Sequence, residues 1–203
     1  MSMNVLVAGA TGKTGRQLVG ELMQKGATPT ALVREGSDTS VLPEGCKTRQ
    51  GDLTDLPEDV CAGMDTVIFA AGSGGDTSKE MTDKVDREGA QKLVDLAKQA
   101  GVSRFVMLSS VGADDPSIGG EEMEHYLQAK HDADAHLAQS GLTYAILRPV
   151  ALTDEGKGQN VIFGDAVDKS AKAARADVAE VLADAAVTGA YDNAAMDMQS
   201  ARV

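Results

Sequence analysis

The chain has 203 residues, 42% of them hydrophobic, and a formal net charge of −12 from 19 basic and 31 acidic residues. That length and apolar content suit one domain able to bury a sizeable core. The acidic excess, spread along the chain as a solvated surface, argues against nucleic acid or an anionic membrane as partner, and no apolar run reaches the roughly 20 residues of a membrane span.

The opening Met-Ser-Met-Asn enters a predicted strand directly, so no signal peptide is expected. Val5, Leu6, Val7 and Ala8 form that strand. Glycines spaced three apart follow at Gly9, Gly12 and Gly15, and then a helix with Leu18, Val19, Leu22 and Met23 on one face. The glycines have separable jobs: Gly9 for the sharp turn, Gly12 for close backbone approach to a pyrophosphate, Gly15 for helix packing on the strand. The first helical turn offers unpaired N–H groups and a positive dipole end to the phosphates. A triphosphate P-loop would need glycine five residues before Gly12, and Val7 stands there. The unit therefore reads as a dinucleotide site.

Further strands are predicted at Thr28 to Val33, ending at Arg34, and at Lys47 to Gly51, ending at Asp52. Asp65 to Ala71 holds the continuous apolar run Val67 to Ala71, as a strand buried on both faces should, and leads into Gly72, Ser73, Gly74 and Gly75. A helix at about 78–100, with Val85, Ala90, Leu93, Val94 and Ala97 at helical spacing, stops at Gly101. Strand Arg104 to Leu108 ends at Ser109-Ser110; a helix follows at about 121–139; strand Thr143 to Leu147 ends at Arg148-Pro149. A short strand at 161–163, a helix at 175–187 and an edge strand in the last residues close the chain. This alternation predicts an α/β fold, a doubly wound parallel sheet of the Rossmann type. The whole chain reads as one domain, with residues from about 150 onward as a small substrate-side lobe.

Ligands of such sheets bind beyond the carboxyl ends of the strands, where polar and small residues gather here. Arg34 ends the second strand, where an arginine suits the 2′-phosphate of NADP; this favours NADP over NAD, and Lys13 in the neighbouring loop is expected to add a second positive charge. Tyr126 and Lys130 stand i, i+4 on one helix face. An ammonium beside a phenol favours tyrosinate, which makes the pair a usable general acid/base. Ser110 would hydrogen-bond the substrate oxygen. His125, His131 and His136 share that helix; a proton relay through His125 is one reading, and solvated histidines the favoured one, with no acid or metal partner identifiable in the sequence. No His/Cys/Asp cluster has metal-ligand spacing. Cys46 and Cys61, with no Cys-x-x-Cys pattern, read as structural thiols of a reducing, cytoplasmic compartment.

Several runs occur in family order over nearly the whole chain. They are Gly-Ala-Thr-Gly-Lys-Thr-Gly (9–15), Leu-Val-Arg (32–34), Gly-Asp-Leu (51–53), Phe-Val-Met-Leu-Ser-Ser (105–110), Tyr-Leu-Gln-Ala-Lys (126–130), Gly-Leu-Thr-Tyr-Ala-Ile-Leu-Arg-Pro (141–149) and Arg-Ala-Asp-Val-Ala (175–179). Together they resemble the short-chain dehydrogenase/reductase superfamily, in its atypical, extended-like branch near flavin/biliverdin reductase-like and epimerase-like proteins. The resemblance implies that Thr11 to Thr14 hold the pyrophosphate, Asp52 and Leu53 the adenine, and that Ala71 and Gly72 flank its ribose. It implies Lys130 at the nicotinamide ribose, Pro149 and Val150 at the carboxamide, and Ser110, Tyr126 and Lys130 as a catalytic trio. The short stretch after Pro149 argues against a bulky sugar-nucleotide substrate. The expectation is an NADPH-dependent reductase of a small carbonyl, quinone or flavin-like molecule. A non-catalytic NADP(H)-binding redox sensor and an epimerase/dehydratase-like enzyme are the alternatives; the sequence leaves the substrate and oligomeric state open.

Overall fold

The computed structural model describes residues 2–74, 77–158 and 160–201; Gly75, expected to close the glycine run after the fourth strand, lies outside them. Strands β1 (Asn4–Ala8), β2 (Thr28–Val33), β3 (Lys47–Gln50), β4 (Thr66–Phe69), β5 (Arg104–Leu108), β6 (Thr143–Pro149), β8 (Asn160–Phe163) and β10 (Ala194–Ala201) form one sheet. Its order is β3-β2-β1-β4-β5-β6-β10-β8, and only the β10–β8 pair is antiparallel. Two short strands, β7 (Ala151–Thr153) and β9 (Lys172–Ala174), pair in parallel apart from it.

Helices cover both faces, and the pleat of each strand divides its side chains between them. Val5 and Val7 of β1, with Ile68 and Val106, pack under α1 (Gly15–Gln24) and α5 (Arg175–Thr188), against Leu18, Leu22, Val178 and Leu182. Leu6 and Ala8, with Phe69, Phe105 and Met107, pack under α3 (Ala90–Gln99) and α4 (Gly120–Gln139), against Leu93, Leu96, Ala133 and Leu137. These side chains are essentially fully buried, those larger than alanine each worth roughly 1.5–3 kcal/mol of apolar transfer. This two-sided burial explains why the central strands read as unbroken apolar runs.

Three features differ from the sequence reading. The helix expected at 78–100 is α2 (Lys79–Thr82), then a π-helical segment at Asp83–Gly89, then α3. Ser78 caps its start by accepting from Met81 N at 3.2 Å. Second, the last strand is interior: β10 lies between β6 and β8, and β8 forms the edge. The periodicity of residues 194–201 is weak, and nothing local tells an edge strand from an inserted one. Third, β7 and β9 are three residues each, too short to leave a pattern.

The stretch after Val150 is tied to the sheet by Asp177, which is buried in the first turn of α5. Its carboxylate accepts from Gly158 N and from the hydroxyl of Ser200, which in turn accepts from Ala174 N at 2.8 Å. One buried carboxylate thus joins β9, β10 and the loop before β8, with its lone pairs satisfied as burial requires.

Candidate functional site

The carboxyl ends of β1, β2, β4, β5 and β6 open onto two adjoining cavities. One, of about 350 Å³, is lined by Gly9, Thr11, Arg34, Asp52 and Leu53. The other, of about 650 Å³, is lined by Lys13, Thr14, Ser110, Tyr126, Lys130, Pro149 and Val150. Gly12, Ala70, Ala71 and Gly72 line both, so the cavities meet at the glycine loop. Every residue expected to touch a dinucleotide lies on this surface except Gly15.

The glycine loop is built as its spacing demands. Gly9 has φ +80°, and an added Cβ would stand 2.6 Å from backbone atoms of Ala70 and Ala71 at the end of β4. A Cβ on Gly15 would lie 2.0 Å from Gly9 O, so Gly15 serves closure of the loop rather than ligand contact. At Gly12 an added Cβ would meet only Gly9 O, at 3.2 Å, and otherwise open space. Thr14 at the head of α1 makes no side-chain cap bond, and the first turn carries no acid. The N–H groups and positive dipole end there suit a pyrophosphate, and with two joined cavities the residues fit a dinucleotide.

The end of β2 differs in part from expectation. Arg34 lines the smaller cavity beside Asp52. Asp52 Oδ1 accepts from the backbone N–H and the hydroxyl of Thr54, both at 2.8 Å. Those bonds hold its carboxyl below the usual carboxylate range, the backbone bond foremost, with Arg34 adding a smaller pull. Lys13 does not join Arg34. Its Nζ ion-pairs with Asp154 at 2.9 Å on the side of the larger cavity, and Asp154 also takes Arg175 at 2.8 Å. An acid remote in sequence draws Lys13 across the cleft, away from the expected second 2′-phosphate contact.

Ser110, Tyr126 and Lys130 come together in the larger cavity. The two adjacent serines divide their work. Ser109 is buried and donates to Asp134 Oδ2 at 2.9 Å; half-buried Ser110 makes only a long bond, 3.3 Å, to Val111 O. Lys130 is 3% exposed, with Nζ 3.3 Å from Leu108 O and 5.8 Å from the centroid of the Tyr126 ring. Its partner is Asp86, wholly buried in the π segment, at 3.2 Å. Burial works to lower the pKa of Lys130, but attraction to Tyr126, Asp86 and Asp134 outweighs it, so the pKa stands above the usual lysine value. Asp86 Oδ2 also accepts from Ser73 N at 3.0 Å, tying the loop after β4 to the same ion pair.

Asp134 Oδ2 accepts from Arg148 Nε at 2.9 Å as well as from Ser109. Burial pushes its carboxyl above the usual range, against the pull of Arg148 and Ser109. Neither Asp86 nor Asp134 was apparent in the sequence, where each sits in a polar helical stretch that reads as solvated. Two of the three histidines also have acid partners: His125 Nε2 lies 3.1 Å from Asp83, beside the larger cavity, and His136 Nε2 lies 2.7 Å from Asp95, while His131 Nδ1 lies 2.7 Å from Ala113 O. Both acids lie on another helix, out of reach of local spacing.

Both cysteines are free, and burial raises their thiol pKa values, that of Cys61 to about 11. This suits inert structural thiols. Among the described residues no group of three or more His, Cys, Asp or Glu could hold a metal ion, and no helix is long and apolar enough to cross a membrane.

Residues 9–188 match a protein family described as NAD(P)H-binding. An uncharacterized sugar epimerase, YhfK of Bacillus subtilis, is 39% identical over 159 residues, covering 75% of this chain and 74% of its own. The UPF0659 protein YMR090W of Saccharomyces cerevisiae is 33% identical over 161 residues, covering 74% and 70%. A solved structure from Bacillus halodurans, provisionally named an NAD-dependent epimerase/dehydratase, superposes with TM-score 0.93 at 35% identity, covering 100% of this chain and 96% of that one. The oxidoreductase ylbE of Lactococcus lactis follows at TM-score 0.85 and 28% identity, covering 99% and 92%. With a glycine loop, two joined cavities and relatives of this kind, the chain belongs to the NAD(P)H-binding family, among Rossmann-fold proteins of oxidoreductase and epimerase type.

Proposed function

We propose that the protein is an NADPH-dependent oxidoreductase of a small carbonyl, quinone or flavin-like molecule, with Ser110, Tyr126 and Lys130 as its working groups. The observation that carries this reading is that the three side chains line one cavity continuous with the dinucleotide cleft. In this reading Arg34 holds the 2′-phosphate, Thr11 to Thr14 the pyrophosphate, Asp52 and Leu53 the adenine, and Ala71 and Gly72 its ribose. Lys130 holds the nicotinamide ribose, and Pro149 and Val150 the carboxamide. The cofactor, when bound, supplies a hydride. The Tyr126 hydroxyl gives a proton to the substrate oxygen, which Ser110 Oγ orients. Lys130, locked by Asp86 and Leu108 O, stabilises the tyrosinate left behind. The test is NADPH oxidation, followed by absorbance, against a panel of aldehydes, quinones and flavins; turnover of any member that is lost in Tyr126→Phe supports the reading. Binding of NADPH with no turnover anywhere in the panel favours a redox-sensing module.

The names of the relatives favour a second reading, an epimerase-like reaction. The same trio would then take the proton of a substrate hydroxyl while the oxidised dinucleotide, when bound, would take the hydride of the same carbon, and both would be returned, with no net consumption of the dinucleotide. Interconversion of two epimers with the oxidised dinucleotide present, and with no net formation of its reduced form, would distinguish it.

A further inference from the structure

We infer that the substrate carries an anionic group, a carboxylate or a phosphate on an apolar body, and that Arg175 reads it. This rests on the reductase reading of the larger cavity and names the class of molecule that the cavity takes.

In a chain with a net charge of −12, the larger cavity has a basic wall. Lys13, Lys79, His125, Lys130 and Arg175 line it, and among the described lining residues none is Asp or Glu. Asp86, the partner of Lys130, stands behind the wall, as does Asp83 beside His125 Nε2. The exception in character is Asp154. It is more than half exposed, and its two oxygens sit 2.9 Å from Lys13 Nζ and 2.8 Å from Arg175 Nη1. Hydrogen bonds from Lys13 and the charges of both cations hold its carboxyl below the usual range. An exposed carboxylate clasped by two cations at the cavity wall marks the seat an incoming anion would take. Asp154 is on a loop and can leave it to solvent, whereas Arg175 begins α5 and its backbone is fixed there.

Met123 and Leu152 supply the rest of the surface. Both are large apolar side chains left exposed, and both line this cavity. A thioether and a leucine beside a guanidinium suit a flat or greasy body ending in a charge. The pyrophosphate of a dinucleotide accounts for Lys13 at the loop but leaves Arg175, beyond β7 and β9, without a role.

Two probe pairs test this, each differing only in the charge. The first is 4-carboxybenzaldehyde against its methyl ester, followed by NADPH oxidation; the second is flavin mononucleotide against riboflavin, titrated calorimetrically into protein saturated with NADP+. The expected result is that the anionic member of at least one pair is favoured by about tenfold or more, the usual scale for a charge-assisted contact. The pair that responds tells a carboxylate from a phosphate. Arg175→Gln should bring that ratio close to one with NADPH affinity unchanged, and Asp154→Asn should raise it. Equal behaviour within both pairs, or no binding by either anion, overturns the inference even if the neutral aldehyde is reduced. A charge preference in the calorimetric arm with no turnover of any probe sustains the inference and sinks the reductase reading instead.

Discussion

Lys130 Nζ stands 3.2 Å from Asp86 Oδ1, and the two side chains are 3% and 0% exposed. An ammonium and a carboxylate out of water must satisfy each other, because neither can recover its hydration. Asp86→Ala would leave the ammonium buried without its partner. The expected loss is about 3–5 kcal/mol of stability, the usual penalty for breaking a buried pair from one side. Urea unfolding would measure it; a midpoint within error of the parent would mean that water reaches Lys130.

Tyr126→Phe removes one oxygen and keeps the ring's packing. With Tyr126 as general acid, turnover should fall about 10²–10⁴-fold while NADPH affinity holds. Lys130→Ala should weaken both, since the ammonium serves ribose and phenol together. Full activity in Tyr126→Phe on a substrate that the parent reduces would remove Tyr126 from the chemistry.

Arg34 lines the smaller cavity with Asp52 and stands without the expected help from Lys13. NADPH should bind at least about tenfold more tightly than NADH, and Arg34→Ala should erase most of the difference. Titration calorimetry with both dinucleotides checks this, and equal affinities in the parent would contradict it.

The glycine loop predicts two unlike outcomes from similar changes. Gly12→Val puts its side chain into the open cleft, so the far-UV circular dichroism should stay native while dinucleotide binding is lost. Gly15→Ala forces a Cβ to 2.0 Å from Gly9 O, so the loop must shift and the melting temperature should fall. Retained binding in Gly12→Val would mean that the glycines serve packing alone.

Asp134 carries a prediction about pH. Burial raises its folded pKa above the ordinary carboxylate value. A group shifted upward contributes stability that is complete below its unfolded pKa and is lost as pH rises through the folded pKa. The parent should therefore lose this contribution as pH rises from the ordinary carboxylate pKa, about 3.9, through the raised folded value, while Asp134→Asn has no such titration. The stability of the variant relative to the parent should rise across that window, as urea midpoints at several pH values would record. A constant gap would mean that Arg148 and Ser109 fully offset the burial.

The parallel sheet was legible because its central strands are apolar on both faces and end at glycines, serines or a proline. The turn at Gly9, Gly12 and Gly15 was legible from spacing within one loop, and the shared cavity of Tyr126 and Lys130 from their i, i+4 spacing on α4, with Ser110 placed beside them by the end of β5. The remainder depends on contacts between distant elements. Asp86 looks like any acid in a charged helix until the π segment directs it inward against Lys130. Lys13 looks like a partner for Arg34 until Asp154, 141 residues away, takes it. Asp83 and His125 meet only because two helices cross beside the cavity. Apolar periodicity carries which face of a segment is buried; it carries nothing about which charge waits on the other element.

The insertion of β10 between β6 and β8 bears on how the molecule is made. During synthesis the ladder edge of β6 leaves the ribosome more than forty residues before the strand that will cover it. β8 emerges with no neighbour at all, since β10 is its partner in the sheet. Until Ala194–Ala201 arrive, the nascent chain carries a bare, half-apolar strand edge of the kind that recruits other chains. The acidic surface, by keeping such chains apart, is then a safeguard for the interval before the sheet is closed.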